Sequence, residues 1–222
     1  MKRFVDICFA VFFLTFGLPF FVLAAVGIKL TSPGPLLYLA QRQGRRDAVF
    51  TMYKFRTMHI AAAGQAGTVI TADNDARVFR FGNILRKLKI DEFPQFINVL
   101  KGDMSVVGPR PEDPRIVANH YTDWMLETLD LRPGITSPGA IFYYADGENL
   151  VTQADPEGSY VTQILAPKLA IERAYIARAT WFSDLVCIGH TALAIFGKAT
   201  GWRIPPMAQD LRMARKWHDF AA

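Results

Sequence analysis

A run of 22 residues without a single charge, Ile7 to Ile28 (ICFAVFFLTFGLPFFVLAAVGI), constrains this chain more than any other feature. As a straight helix it would reach about 33 Å, enough for the hydrocarbon core of a bilayer. Gly17-Leu18-Pro19 interrupts it near the middle. An interior Pro removes one backbone hydrogen bond and collides with the preceding turn, at a cost of about 3 kcal/mol, so the helix is expected to break at Pro19. Both flanks are basic, with Lys2 and Arg3 before the run and Lys29, Arg42, Arg45 and Arg46 after it. Positive residues favour the cytoplasmic face, and a single crossing would leave one flank on the other side. A helix that enters, breaks and returns keeps both inside. A cleaved signal peptide fits worse, because the run is too long and no A-x-A site follows it.

The net charge of +5 is unevenly spread: +2 over residues 1–41, +6 over 42–110, −6 over 111–197 and +3 from 198 onward. A basic block beside an apolar anchor suits an anionic membrane face, a phosphate-bearing substrate, or both. A hydrophobic content of 51% excludes a disordered chain. Two cysteines, Cys8 and Cys187, cannot build a disulfide framework. Nor do the four scattered histidines offer the spacing of a zinc site.

Beyond the anchor, Thr31-Ser32-Pro33-Gly34-Pro35 ends the helix. LLYLAQRQ and AVFTMYKF flank Gly44-Arg45-Arg46-Asp47 and read as a β-hairpin. Residues 60–75 read as a loop and Arg77–Lys89 as a helix with one apolar side. Pro94 starts another helix that Gly102 ends, and residues 104–111 form a short strand entering a rigid loop. Helical periodicity is strongest over 165–180. Residues 181–197 are apolar but carry Asp184 and His190, which favours a buried or interfacial helix over a second span. The terminal LRMARKWHDF is basic with two aromatics, suited to a membrane surface.

The chemistry concentrates in Lys89-Ile90-Asp91-Glu92-Phe93-Pro94-Gln95. Two adjacent carboxylates stand just before a Pro-initiated helix, with Arg86, Lys87 and Lys89 upstream. In an anonymous chain such acids would be surface caps. Here Gly108-Pro109-Arg110-Pro111 follows, fixing a guanidinium on a stiff loop, and Lys54-Phe55-Arg56-Thr57-Met58 precedes, ending a strand with two cations. Carboxylates amid Arg and Lys are the setting in which Mg2+ and phosphate are held together. Adjacent carboxylates cannot bracket a glycosidic bond from two sides, but one of them can attack phosphorus when cations neutralise the repulsion.

Taken in order, KRFVD, TSPGP, QRQGR, KFRTM, FGNILRK, DEFPQFINVLKGDMSVVGPRP and LRPGIT resemble the monotopic phosphoglycosyl transferases, the bacterial sugar transferase family. The resemblance runs from Lys2 to about Thr136. It implies an α+β fold, mainly helical and monotopic in the membrane, with an N-terminal re-entrant helix broken at Pro19 and a small β-hairpin. It further implies a minimal catalytic-domain form in three parts: a membrane helix over 1–30, a catalytic domain over 31–200 and a basic membrane-surface segment over 201–222.

The activity implied is transfer of a sugar 1-phosphate from a UDP-sugar to polyprenol (undecaprenyl) phosphate through a covalent aspartyl-phosphosugar, with Mg2+ and release of UMP. Asp91 corresponds to the nucleophile and Glu92 to its neighbour, the pair also holding the metal; Lys54, Arg56, Arg77, Arg86 and Arg110 correspond to the phosphate-binding cations. The expected setting is the cytoplasmic face of a bacterial inner membrane. Expected partners are the two substrates and the bilayer, with no nucleic acid, and a homodimer stays open. Ile90 replaces a common Leu. After LRPGIT this chain continues Ser137-Pro138-Gly139-Ala140-Ile141-Phe142-Tyr143-Tyr144, unlike many relatives, so no sugar or uridine contact is carried over beyond Thr136. A competing class is a membrane-anchored adaptor for anionic lipid, which leaves unexplained an acid pair inside the basic block.

Overall fold

Two helices bent against each other open the chain. In the computed structural model, which describes residues 1–60, 70, 75–202, 205 and 208–215, α1 (Lys2–Phe16) and α2 (Leu18–Thr31) meet at 58°. Among the described residues no single helix is long and apolar enough to cross a membrane, and α1 with α2 reaches that length only as this bent pair. The break falls at Gly17, two residues before the expected Pro19. A Cβ at Gly17 would lie 2.2 Å from the Phe13 carbonyl oxygen, so only glycine admits so tight a turn. Pro19 sits in the first turn of α2, where its missing N–H leaves no helical carbonyl orphaned.

The expected hairpin is present: β1 (Leu37–Gln43) pairs antiparallel with β2 (Val49–Phe55), from Leu37 opposite Phe55 to Gln43 opposite Val49. After it come α3 (Arg80–Lys87), a single 3-10 turn at Ile90–Glu92, and α4 (Gln95–Lys101), closed by Gly102 at φ 91°. Residues 61–69 and 71–74 of the expected loop lie outside the described residues. Asn98, fully buried on α4, donates to the Thr51 carbonyl (2.8 Å) and accepts from the Tyr53 N–H (3.0 Å), which ties α4 to β2. A polar side chain can be buried this way because its donors and acceptors are matched.

Next, β3 (Ser105–Val107) runs parallel to β4 (Gly134–Thr136), with Ser105 opposite Gly134 and Val107 opposite Thr136. Between them lie α5 (Pro114–His120) and α6 (Asp123–Leu126). The strand ends approach closely at Gly108 and Gly134. A Cβ on Gly134 would fall 2.1 Å from the Gly108 nitrogen, so the GPRP and LRPGIT segments fit together only as glycines. Then α7 (Pro138–Ala145), α8 (Pro156–Tyr160), α9 (Ala166–Ile176), α10 (Trp181–Thr200) and α11 (Ala208–Ala214) complete the fold. The end of the basic terminal segment, 216–222, lies outside the described residues. The main core joins Phe96 and Val99 of α4, Val106 of β3 and Ile141 of α7, with Phe9, Phe13 and Leu14 of α1 packed on it.

The polar first turn of α1 is built into this core. Asp6, buried, accepts from the Ser105 hydroxyl (2.9 Å) and the Val106 N–H (2.9 Å) of β3. Arg3 donates to the Val99 and Leu100 carbonyls at the C-terminal end of α4, at 2.6 and 3.0 Å. The Val99 carbonyl otherwise takes only the capping Gly102 N–H (3.1 Å), so a cation at this end adds hydrogen bonding and complements the helix dipole.

Candidate active site

The acid pair owes its placement to a backbone reversal. Lys89 adopts φ 56°, a left-handed conformation rare for a residue with a side chain, and the following 3-10 turn brings Asp91 and Glu92 side by side under α4. Both are buried. Their surroundings differ sharply.

Glu92 is held from three directions. Arg110 donates to Oε1 at 2.7 Å and to Oε2 at 3.2 Å. Lys54 donates to Oε1 at 3.3 Å, and the Lys89 ammonium lies 3.7 Å from it. Burial pushes the Glu92 carboxyl up, but Arg110, Lys54 and Lys89 outweigh it and hold Glu92 well below the usual carboxylate range. Asp91 has no such grip: its Oδ1 is buried without a hydrogen-bond partner. Burial, and then the Glu92 charge, push its carboxyl up. Lys54, half-buried among these groups, has its ammonium lowered to about 8, chiefly by burial.

The pair opens onto a cavity of about 530 Å³. Nine cations and five carboxylates line it among the described residues, an excess that suits a ligand carrying a diphosphate. Lys54, Arg86 and Arg110, all expected phosphate contacts, face it. The two other expected cations do not. Arg56 is buried with its guanidinium on the Pro35 carbonyl (2.7 Å), the Ser32 hydroxyl (2.6 Å) and the Ser32 carbonyl (2.7 Å), so it pins the segment that follows α2. Arg77 pairs with Asp75 at 2.6 Å, and it is Asp75 that lines the cavity.

Further walls come from residues that the sequence did not single out. The Tyr144 ring has the Lys89 ammonium 4.4 Å and the Lys198 ammonium 4.2 Å from its centroid, and its hydroxyl donates to the Lys87 carbonyl at 2.9 Å. Glu112, which follows the GPRP loop, is buried against Lys168 and Tyr160, whose ammonium and hydroxyl both donate to it. Glu172 accepts from the Ser137 hydroxyl at 2.5 Å and lies 3.4 Å from the Arg110 N–H, which fixes the Arg110 loop to α7 and α9. Burial pushes the Glu172 carboxyl up to about 7. Apart from Glu112, these residues lie far along the chain from the acid pair, on α7 to α10, and no local motif marks them.

Among the described residues there is no group of three or more His, Cys, Asp or Glu able to hold a metal ion by themselves. The cations grip Glu92 at both oxygens and leave Asp91 open, with its Oδ1 buried and unpartnered. Mg2+ is commonly bound by one or two carboxylates and completed by substrate phosphates, and Asp91 facing this cavity fits that pattern.

A family model for bacterial sugar transferases matches residues 1–198. The chain is 39% identical over 166 residues to the UDP-N-acetylgalactosamine-undecaprenyl-phosphate N-acetylgalactosaminephosphotransferase of Aeromonas hydrophila, covering 72% of this chain and 39% of that one. It is 33% identical over 192 residues to the UDP-glucose:undecaprenyl-phosphate glucose-1-phosphate transferase of Xanthomonas campestris pv. campestris, covering 83% and 36%. A transferase of the same description from Caulobacter vibrioides is 46% identical over 197 residues, covering 86% and 67%. The chain thus spans less than two thirds of the length of the Aeromonas and Xanthomonas relatives. Because the family match extends from the first residue to Lys198, the last of the described residues that line the cavity, this chain belongs to the bacterial sugar transferase family.

Proposed function

We propose that the protein transfers a sugar 1-phosphate from a UDP-sugar to polyprenyl (undecaprenyl) phosphate, yielding polyprenyl diphosphate sugar and UMP as a first membrane step in polysaccharide assembly. The observation that carries this reading is the asymmetry of the acid pair: Glu92 is engaged at both oxygens, while Asp91 keeps a buried, unpartnered oxygen at a cation-lined cavity. The relatives' own substrates, UDP-sugars and undecaprenyl phosphate, supply the chemical class.

In the first step an Asp91 carboxylate oxygen attacks the phosphorus that bears the sugar. The phosphoanhydride bond breaks and UMP leaves with the bridging oxygen. In the second, an oxygen of polyprenyl phosphate attacks the same phosphorus and the Asp91 carboxylate departs. Arg110 and Lys54 hold Glu92 as an anion beside Asp91 and present their remaining N–H groups toward the cavity. Arg86 adds a positive charge at the wall. A carboxylate attacking an anionic phosphoryl group depends on such neutralisation. Asp91 would hold Mg2+ together with the donor's phosphates, and bound there the ion supplies further charge neutralisation.

The setting proposed is the cytoplasmic face of a bacterial inner membrane, with α1 and α2 as a re-entrant pair. Supporting it are the 58° bend, the basic residues at both ends and the exposed Phe12, Phe16, Phe20, Leu23 and Val26. The test of the chemistry is the intact-protein mass after incubation with UDP-sugar and Mg2+ but no acceptor. A sugar-phosphate adduct is expected in the unmutated protein and in Glu92→Gln at reduced yield, and none in Asp91→Asn. An adduct that persists in Asp91→Asn and disappears in Glu92→Gln would reverse the assignment.

A further inference from the structure

Helix α3 shows three faces, and helical periodicity sets them in order. Arg80, Asn83 and Lys87, spaced i, i+3 and i+7, line the cavity. Phe81 and Leu85 pack toward Ala24 and Ile28 of α2. Between these two faces stand Ile84 and Leu88, again one turn apart, both exposed. On α2, Gly27 admits the Phe81 ring so closely that a Cβ would fall 2.3 Å from it. Leu23 and Leu30, one turn to either side of Gly27, share its stripe and are also exposed. The crease between α2 and α3 is therefore apolar, and it runs beside cations at the edge of the cavity. Among the described residues neither Arg80 nor Lys87 forms an ion pair, whereas Lys54, Lys89 and Arg110 are all engaged with Glu92.

Exposed apolar side chains continuous with unmatched cations are complementary to an amphiphile with an anionic head. The donor, a water-soluble nucleotide, needs no apolar track. We propose, resting on the reading that the acceptor is a lipid phosphate, that this crease is where the acceptor docks. The isoprenoid chain lies along Leu23, Leu30, Ile84 and Leu88, and its phosphate turns over the α3 ridge onto Arg80 and Lys87, directed into the cavity that holds Asp91. An acceptor so placed reaches the phosphorus on Asp91 without its chain leaving the apolar surface, and Arg86 and Arg110 remain for the donor.

The experiment is direct binding of polyprenyl phosphate, and separately of uncharged polyprenol of equal length, to the full chain in detergent. Arg80→Gln combined with Lys87→Gln is expected to weaken polyprenyl phosphate about tenfold or more, as loss of charge-assisted hydrogen bonds should, and to leave polyprenol unchanged. Ile84→Ser combined with Leu88→Ser is expected to weaken both. Unchanged binding in either pair would overturn the proposal. So would a change of oligomeric state in the Ile84/Leu88 pair with lipid binding intact, which would make the ridge a contact between two copies. UMP release from a UDP-sugar without acceptor reports on the donor chemistry separately: its absence in the unmutated protein would count against the proposed function while the binding comparison still decides the docking track.

Discussion

Arg110 and Glu92 meet as a flat fork, Nη2 to Oε1 at 2.7 Å and Nη1 to Oε2 at 3.2 Å. Two parallel bonds of this kind fix orientation as well as distance, because the guanidinium plane must coincide with that of the carboxylate. The fork is set on a loop whose flanking prolines, Pro109 and Pro111, limit its backbone, and whose N–H faces Glu172.

Removing the fork should cost both fold and function. Arg110→Ala leaves Glu92 buried with a reduced cation complement, and unfolding by denaturant should show a loss of about 3 kcal/mol. Arg110→Lys restores charge without the plane and should recover part of the stability, with turnover still lower on the order of 100-fold. Full turnover in Arg110→Lys would remove the bidentate argument.

Asp91 is expected to trade stability for reactivity. Its carboxyl is raised by burial and by Glu92, so the neutral form suits the folded state and ionisation penalises it. Stability contributed by the neutral form is lost as pH rises from the ordinary carboxylate range through the raised folded value. Asp91→Asn should therefore be more stable than the unmutated protein at pH 7, by about 1 kcal/mol, and inactive. Thermal melts at pH 4 should show that gain shrinking.

Glu172 gives a second pH signature away from the acid pair. Its carboxyl rises from an ordinary 4.5 to about 7. Between those values the unfolded chain has released a proton that the folded chain retains, so stability falls as pH increases and the loss is complete above about 7. Glu172→Gln should match the unmutated protein near pH 4 and exceed it by about 3 kcal/mol at pH 8. Parallel stability curves would mean that Glu172 is ionised and paired throughout.

The bent helix pair predicts a labelling pattern. A cysteine inserted directly after Met1, in a Cys8→Ser background, should resist a membrane-impermeant maleimide applied outside intact spheroplasts and react after permeabilisation. Cys187 is buried and should stay silent. Labelling from outside would convert the pair into a crossing helix.

Local chemistry made much of this legible from sequence. Alternation around Gly44-Arg45-Arg46-Asp47 marked β1 and β2, and Pro94 and Gly102 bracketed α4 within a residue. Asp91, Glu92 and Arg110 were recognisable because the motif fixes their mutual order. Arg56 and Arg77 show the limit: a motif names a cation without saying which way its guanidinium turns, and Arg56 turned inward to satisfy carbonyls left open after α2. Tyr144, Lys168, Glu172 and Lys198 reach the site by tertiary packing of α7, α9 and α10, which leaves no local trace. The bend at Gly17 rather than Pro19 has a similar origin, since proline tolerates the first turn of a helix and glycine tolerates the corner.

The contact of Asp6 with Ser105 and Val106 bears on how the protein can be handled in the laboratory. Cutting away residues 1–31 to obtain a water-soluble catalytic fragment would strip a carboxylate from a buried hydroxyl and a buried amide, and Arg3 from the end of the helix that Asp91 precedes. Residues 1–31 are a structural stave of the protein and not a detachable tag. Solubilisation by substitution on the outward surface, at Phe12, Phe16 or Val26, keeps those bonds where truncation severs them.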